Sequence, residues 1–377
     1  MSENQISQRE IARRAGVSLS AVSLALRDSP KVSKETIERV KAIARETGYT
    51  KDPRVTELMA HLRTARSNRK SSTLAVLVPE IKKREFRQYF PIRMVLEGLE
   101  AYAAELGFNL DLFLLEELRA GPERLREVLL SRGIKGMIVM PFRSGVGRID
   151  FDFSGFCAAT AGYSIIDPML DRACPSYLQM MDELLEYHYK QGYYRPGLVM
   201  NYTKGGIGYK LFSSSYLFYQ TMLPEEERIP ILQKKMISDE GLKNWIETYR
   251  PDSVISAGSV YERLLKIGYR IPQDFGFASI DLSEHPQDAC GVNHRYRLIG
   301  AETVSLVTTA LNLNRTGVPQ NPRVILVNSH RKPGFSLPKK GKANPINLRT
   351  IVTDKMKRHH ILAEPLSEDF GLRAHKE

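Results

Sequence analysis

The chain has 377 residues, 42% of them apolar and 26% charged, with a formal net charge of +12. Domains of roughly 100–200 residues make two or three units the expectation, and that apolar share is enough for real cores. No apolar run approaches the ~18 residues of a membrane span. The polar N-terminus lacks a signal-peptide pattern, and Cys157, Cys174 and Cys290 stand far apart without CxxC spacing. The expectation is a cytoplasmic chain with buried, reduced thiols. The basic excess is uneven: residues 1–70 hold 15 Lys/Arg against 8 Asp/Glu, residues 336–377 hold 9 against 5, and the middle is balanced at 31 against 30. The basic excess thus lies in the two ends, and in the N-terminal one it suits phosphate contacts, whose affinity comes from counterion release.

Residues 7–28 predict two short helices around a turn. Ser7 is placed to cap the first, with Glu10 completing a capping box, and Ile11, Ala12 and Ala15 form its buried stripe. Gly16 is suited to the positive φ of the turn. Ser18 caps the second helix, which turns Ala21, Val22, Ala25 and Leu26 inward and Leu19, Ser20, Ser23 and Leu24 outward. A third amphipathic helix opens at Ser33-Lys34-Glu35-Thr36, carries Ile37, Val40, Ile43 and Ala44 on one face, and ends at Gly48-Tyr49. This is a helix-turn-helix whose second helix fits a DNA major groove. Arg9, Arg13, Arg14, Arg27, Lys31 and Lys34 are candidate phosphate partners.

The chain here resembles the LacI/GalR bacterial transcription regulators. The resemblance rests on Glu10-Ile11-Ala12, Ala15-Gly16-Val17-Ser18, Ala21-Val22-Ser23, Val32-Ser33, Thr36, Val40 and Gly48-Tyr49, in family order and spacing. It runs through the hinge and, more loosely, over residues 72–335; residues 338–377 have no counterpart. Residues 50–71 are expected to form a hinge, with Asp52 as N-cap and Pro53 as first helical residue. A helix this short is unstable alone in water, which suits folding on DNA. The resemblance puts Leu58 at the family's leucine wedge, which unstacks bases in the minor groove; packing against its own domain is the alternative. Residues expected at DNA are thus Ser7, Ser18, Leu19, Ser20, Ser23, Leu24, Arg27, Lys31 and Leu58. Leucines meet thymine methyls but make no bidentate bonds to base edges, so specificity is expected from Ser20, Ser23, the wedge and DNA shape.

Downstream, strand-like segments at 74–78, 109–115, 136–140, 158–162, 197–201, 253–257 and 276–280 alternate with helical ones at 92–106, 123–132, 176–191, 208–222, 239–249 and 260–267. That rhythm predicts an α/β core of two doubly wound parallel-sheet lobes, periplasmic-binding-protein-like by the resemblance, behind an all-α headpiece. The expected division is a headpiece at 1–49, a hinge and linker at 50–71, a two-lobed core at 72–335 and a basic tail at 336–377. Lobe 1 takes about 72–174 plus 296–326, lobe 2 about 175–292 plus 327–335. Ligands in such sheets sit beyond the carboxyl ends of strands, here in the cleft between lobes.

Ile271–Asp281 resembles the family's turn-strand-aspartate segment, and Gly291-Val292-Asn293-His294 its crossover strand. The resemblance implies that Asp281 and His294 face the effector; a carboxylate capping its own loop is the alternative for Asp281. Phe212 falls where sugar-binding members carry an arginine, with Lys210 the nearest cation, which argues against a standard hexose. Pro79, Glu80, Tyr89 and Phe90 are candidates for the first-lobe wall. The expected effector-binding residues are Pro79, Phe90, Lys210, Phe212, Asp281 and His294.

Enzyme motifs are missing: no GxGxxG opening a helix, Walker loop, HExxH or Gly-x-Ser-x-Gly. His359-His360 lies in a basic tail without companion ligands, so no metal or cofactor is expected. The sequence thus predicts a DNA-binding regulator, a repressor and homodimer on a near-palindromic operator, responsive to a small molecule such as a sugar or related metabolite. An effector-independent DNA-architectural protein and a solute-binding module are the alternatives.

Overall fold

The computed structural model describes residues 8–26, 28, 29, 32–47, 72–80, 89–117, 121–143, 145–201, 206–234, 237–283, 286 and 288–340. The expected contacts of Ser7, Arg27, Lys31 and Leu58, the hinge and His359-His360 lie outside them. In chain order the elements are α1 (Gln8–Ala15), α2 (Leu19–Ala25), α3 (Lys34–Glu46), β1 (Ser72–Val78), α4 (Phe90–Glu105), β2 (Phe108–Leu114), α5 (Pro122–Ser131), β3 (Gly136–Val139), β4 (Gly147–Arg148), β5 (Cys157–Ala161), β6 (Ile165–Asp167) and β7 (Asp171–Pro175). They continue with α6 (Tyr177–Gln191), β8 (Pro196–Asn201), α7 (Ile207–Thr221), β9 (Leu232–Lys234), α8 (Asp239–Tyr249), β10 (Ser253–Ser256), α9 (Gly258–Lys266), β11 (Gly276–Ser279) and β12 (Cys290–Asn293). Last come α10 (Tyr296–Leu313), β13 (Val324–Val327) and β14 (His330–Lys332).

Two compact units result. One takes in the described residues up to Arg143 with Gly147–Cys174 and Tyr296–Ile325; the other is chiefly the described residues of Pro175–Arg295 and those from Leu326 onward. The first holds a six-stranded sheet in the order β13-β7-β5-β3-β1-β2. Its central ladders β1–β2, β1–β3, β3–β5 and β5–β7 are all parallel. Leu74 to Val78 is wholly buried, as a parallel strand covered on both faces must be, which is why it reads as an unbroken apolar run. Against this sheet, α4 and α10 cross through Gly98 and Gly300. A Cβ on Gly98 would lie 1.9 Å from the Arg297 carbonyl oxygen, and one on Gly300 would lie 2.2 Å from that of Val95.

The second unit repeats the plan as β14-β12-β11-β10-β8-β9, parallel throughout except for the antiparallel β12–β14 edge. In each sheet the strand order reverses once, at β1 (between β2 and β3) and at β8 (between β9 and β10), which makes both doubly wound. Several strands carried no periodic signal. β7 holds Asp171 and Arg172 inside a buried strand. Asp171 accepts from the Arg323 backbone N–H at 2.8 Å and from Arg323 Nε at 2.9 Å, while Arg172 Nε donates to the Leu170 carbonyl at 3.4 Å. Beyond β14, Ser336 is fully buried. Its Oγ donates to the Phe277 carbonyl at 2.7 Å and accepts from the Cys290 N–H at 2.9 Å, which ties residues after the last strand into this core. Cys157, Cys174 and Cys290 are free and buried.

On α6, His188 is fully buried and its Nδ1–H donates to the Leu184 carbonyl at 2.6 Å. Burial among apolar neighbours disfavours the charged ring and pushes its pKa down to about 4. The unfolded chain binds this proton near pH 6.5 and the folded chain only near 4, so His188 leaves stability intact above pH 6.5 and erodes it as pH falls toward 4. The total loss is about 3 kcal/mol. Urea midpoints of wild type and His188→Gln should therefore diverge in pH sensitivity between pH 7 and 4, the variant losing less. Parallel curves would show that His188 is not the titrating group.

Candidate functional site

The headpiece is built as its spacing predicts. Ile11, Val22, Ala25 and Val40 are completely buried, Ala12, Ala15 and Ala44 nearly so, and Val17, Leu26, Val32, Ile37 and Ile43 pack around them. Gly16 turns the chain at φ +66°, which favours glycine. Ser18 Oγ accepts from the Ala21 N–H at 3.1 Å, and Ser33 Oγ from the Thr36 N–H at 3.3 Å, each cap worth about 1 kcal/mol. Leu19, Ser20, Ser23 and Leu24 lie on α2, with Leu24 half-buried. This is the element that a helix-turn-helix lays in the major groove, while the first helix crosses the backbone.

Charge on α1 is organised around Glu10. Its carboxylate accepts from Arg13 Nε at 2.9 Å, Arg13 Nη2 at 2.6 Å and Arg14 Nε at 2.9 Å. These hydrogen bonds, to Arg13 first and then Arg14, hold its pKa down to about 2. The i,i+3 and i,i+4 spacing was legible in the sequence, yet there Glu10 stood only as a capping-box residue. On α3, Lys41 Nζ lies 2.5 Å from Asp28 Oδ1. Lys34 is exposed.

In the second unit, Asp281 and His294 follow the carboxyl ends of β11 and β12, and Lys210 and Phe212 lie on α7. Phe212, on α7, is 3% exposed and belongs to the core. Its ring lies 4.8 Å from that of Tyr177, which meets the His294 ring edge-on at 5.7 Å. Gly208 is where α7 makes room for Tyr177: a Cβ there would come within 2.8 Å of its ring. His294 is 4% exposed and donates from Nε2 to the Ile280 carbonyl at 2.6 Å. Asp281 Oδ1 accepts from the Ser283 N–H at 2.8 Å, the loop-capping arrangement. Lys210 is exposed, one turn of α7 from Ser214, whose Oγ donates to the Lys210 carbonyl at 2.7 Å. Tyr177 was missed because an aromatic at the start of an amphipathic helix carries no distinguishing signal.

In the first unit, Pro79 is buried directly after β1, and Phe90, half-buried at the start of α4, lies beneath Arg93 at 5.3 Å. Tyr89 carries the Arg143 guanidinium over its ring at 4.6 Å. Among the described residues no group of three His, Cys, Asp or Glu side chains is placed to hold a metal ion. No helix among them is long and apolar enough to cross a membrane.

Residues 8–52 match the model of the bacterial regulatory proteins of the lacI family. The chain is 32% identical to the sucrose operon repressor of Klebsiella pneumoniae over 142 residues, 37% of this chain and 38% of that protein. It is 28% identical to the HTH-type transcriptional repressor CytR of Escherichia coli (strain K12) over 152 residues, 40% of this chain and 39% of CytR. The match therefore spans well under half the length of these curated relatives. A solved transcriptional regulator CelR-cellobiose complex superposes with a TM-score of 0.50 at 17% identity, covering 88% of this chain and 99% of that one, which is a likeness of fold. The core shares that regulator's fold. The N-terminal helix-turn-helix thus matches the lacI family of bacterial regulatory proteins over residues 8–52.

Proposed function

We propose that this chain is a DNA-binding transcription regulator, a repressor without enzymatic activity, that works as a homodimer on a near-palindromic operator. The capped helix-turn-helix with its glycine at φ +66° is the observation that carries this reading. One headpiece reads half a site, so a two-fold pair is the economical assembly. A small molecule bound at the carboxyl ends of the core strands then shifts the population between DNA-competent and incompetent forms. The likeness to a sucrose operon repressor and to a CelR-cellobiose complex supports a sugar or related metabolite as the class. Phe212, where a cation would stand, is a core residue, which argues against a ligand held by a charged side chain at that position.

The test is selection of bound duplexes from a random pool by the full chain, followed by titration of the enriched site against salt and candidate metabolites. We expect a near-palindrome, a log K that falls linearly with log salt, and one metabolite class that changes the affinity. Enrichment without any symmetric motif, or affinity independent of salt, would overturn the reading. Binding indifferent to every metabolite would leave the architectural alternative standing.

A further inference from the structure

We infer that Glu10 is a positioning residue for DNA, holding the guanidinium groups of Arg13 and Arg14 as a pre-set pair that receives backbone phosphates. The inference rests on the DNA-binding reading above and adds a role to a carboxylate of α1. Glu10 takes both the Nε and Nη2 of Arg13, a side-on bidentate grip, and the Nε of Arg14. The arginine side chains stay open to solvent, at 75% and 44% exposure, while the Glu10 side chain beneath them is 29% exposed. Each guanidinium therefore keeps outward donors after Glu10 has been served, because arginine carries five N–H groups in a rigid fork. Two long side chains that would otherwise lose rotamer freedom on meeting a phosphate are already ordered. They also lie on the helix that crosses the backbone in a helix-turn-helix complex.

Charge counting makes Glu10 a cost, since a carboxylate beside the interface repels phosphates and neutralises part of two arginines. Removing it should then strengthen binding and steepen the salt dependence. Pre-organisation predicts the reverse sign, so the two accounts separate without any knowledge of the operator.

The experiment measures binding of the full chain to a random-sequence DNA duplex over a salt series, for wild type, Glu10→Gln, Arg13→Gln/Arg14→Gln and the triple variant. Non-specific binding suffices because phosphate contacts carry it. Glu10→Gln is expected to weaken binding by about fivefold, the scale of one charge-assisted contact made less ready, although it adds a net positive charge. In the Arg13→Gln/Arg14→Gln background the same change is expected to do nothing beyond the charge effect, and that background itself lowers the salt slope by about two. A Glu10→Gln protein that binds more tightly with a steeper slope overturns the inference, as does an equal weakening with or without the two arginines. Circular dichroism of each variant separates loss of α1 from loss of positioning. A wild type with no affinity for any duplex would instead sink the DNA-binding reading itself.

Discussion

Replacing Gly98 by alanine is expected to destabilise the first unit by at least about 3 kcal/mol, at the severe end of overpacking. The added methyl would sit 1.9 Å from the Arg297 carbonyl oxygen and 2.6 Å from its carbon. Both are backbone atoms, so no rotamer change relieves the contact and α4 must move away from α10. Separation loosens the side chains packed along the same seam, among them Val95, Leu99, Ile299 and Val304, all nearly or fully buried. Thermal or urea unfolding reads the effect. Gly121→Ala is the control, because a Cβ there meets nothing within 4 Å; it should cost under about 1 kcal/mol as an altered helix cap. Equal midpoints for the two variants would show that the helices do not cross this closely.

Loss of DNA binding is expected from Val22→Asp. Val22 is completely buried in the small headpiece core. A carboxylate there has no cationic partner within that core, and burying an unpaired charge costs several kcal/mol. A domain of this size buries too little surface to absorb that loss. The headpiece should unfold while the thermal transition of the core stays in place, and affinity for any duplex should fall by at least about 100-fold, equivalent to 2.8 kcal/mol or more. Retained binding would place the DNA contact elsewhere in the chain, with the basic segment after Ser336 as the first place to look.

The headpiece was legible because its signals are local. Ser18, Gly16, Ser33 and the spacing of Ile11, Val22, Ala25 and Val40 act within one or two turns of helix, where chain connectivity decides what meets what. The parallel core was legible as rhythm: Leu74–Val78, Gly136–Val139 and Ser253–Ser256 are short buried runs between helices, and burial on both faces demands apolar residues. β7 was not, since Asp171 and Arg172 break the apolar pattern, and the Asp171 carboxylate finds its partner only in Arg323, 152 residues away. Ser336 offered even less, as a lone serine after the last strand acquires its meaning only from Phe277 and Cys290.

The wall in the second unit shows the same divide. Sequence resemblance singled out Phe212, Asp281 and His294 one by one, but could not say that Phe212 is core, that Asp281 caps its own loop, or that Tyr177 lies against Phe212 and His294. By itself the sequence determined the helix-turn-helix, the α/β rhythm and the gathering of positive charge at the ends, because each is written in residues close together along the chain. Only the tertiary structure decided where Gly98 and Gly300 let two helices touch, that Tyr177 meets Phe212 and His294, and which buried polar groups are paired. Those depend on distances between residues that the chain brings together only on folding.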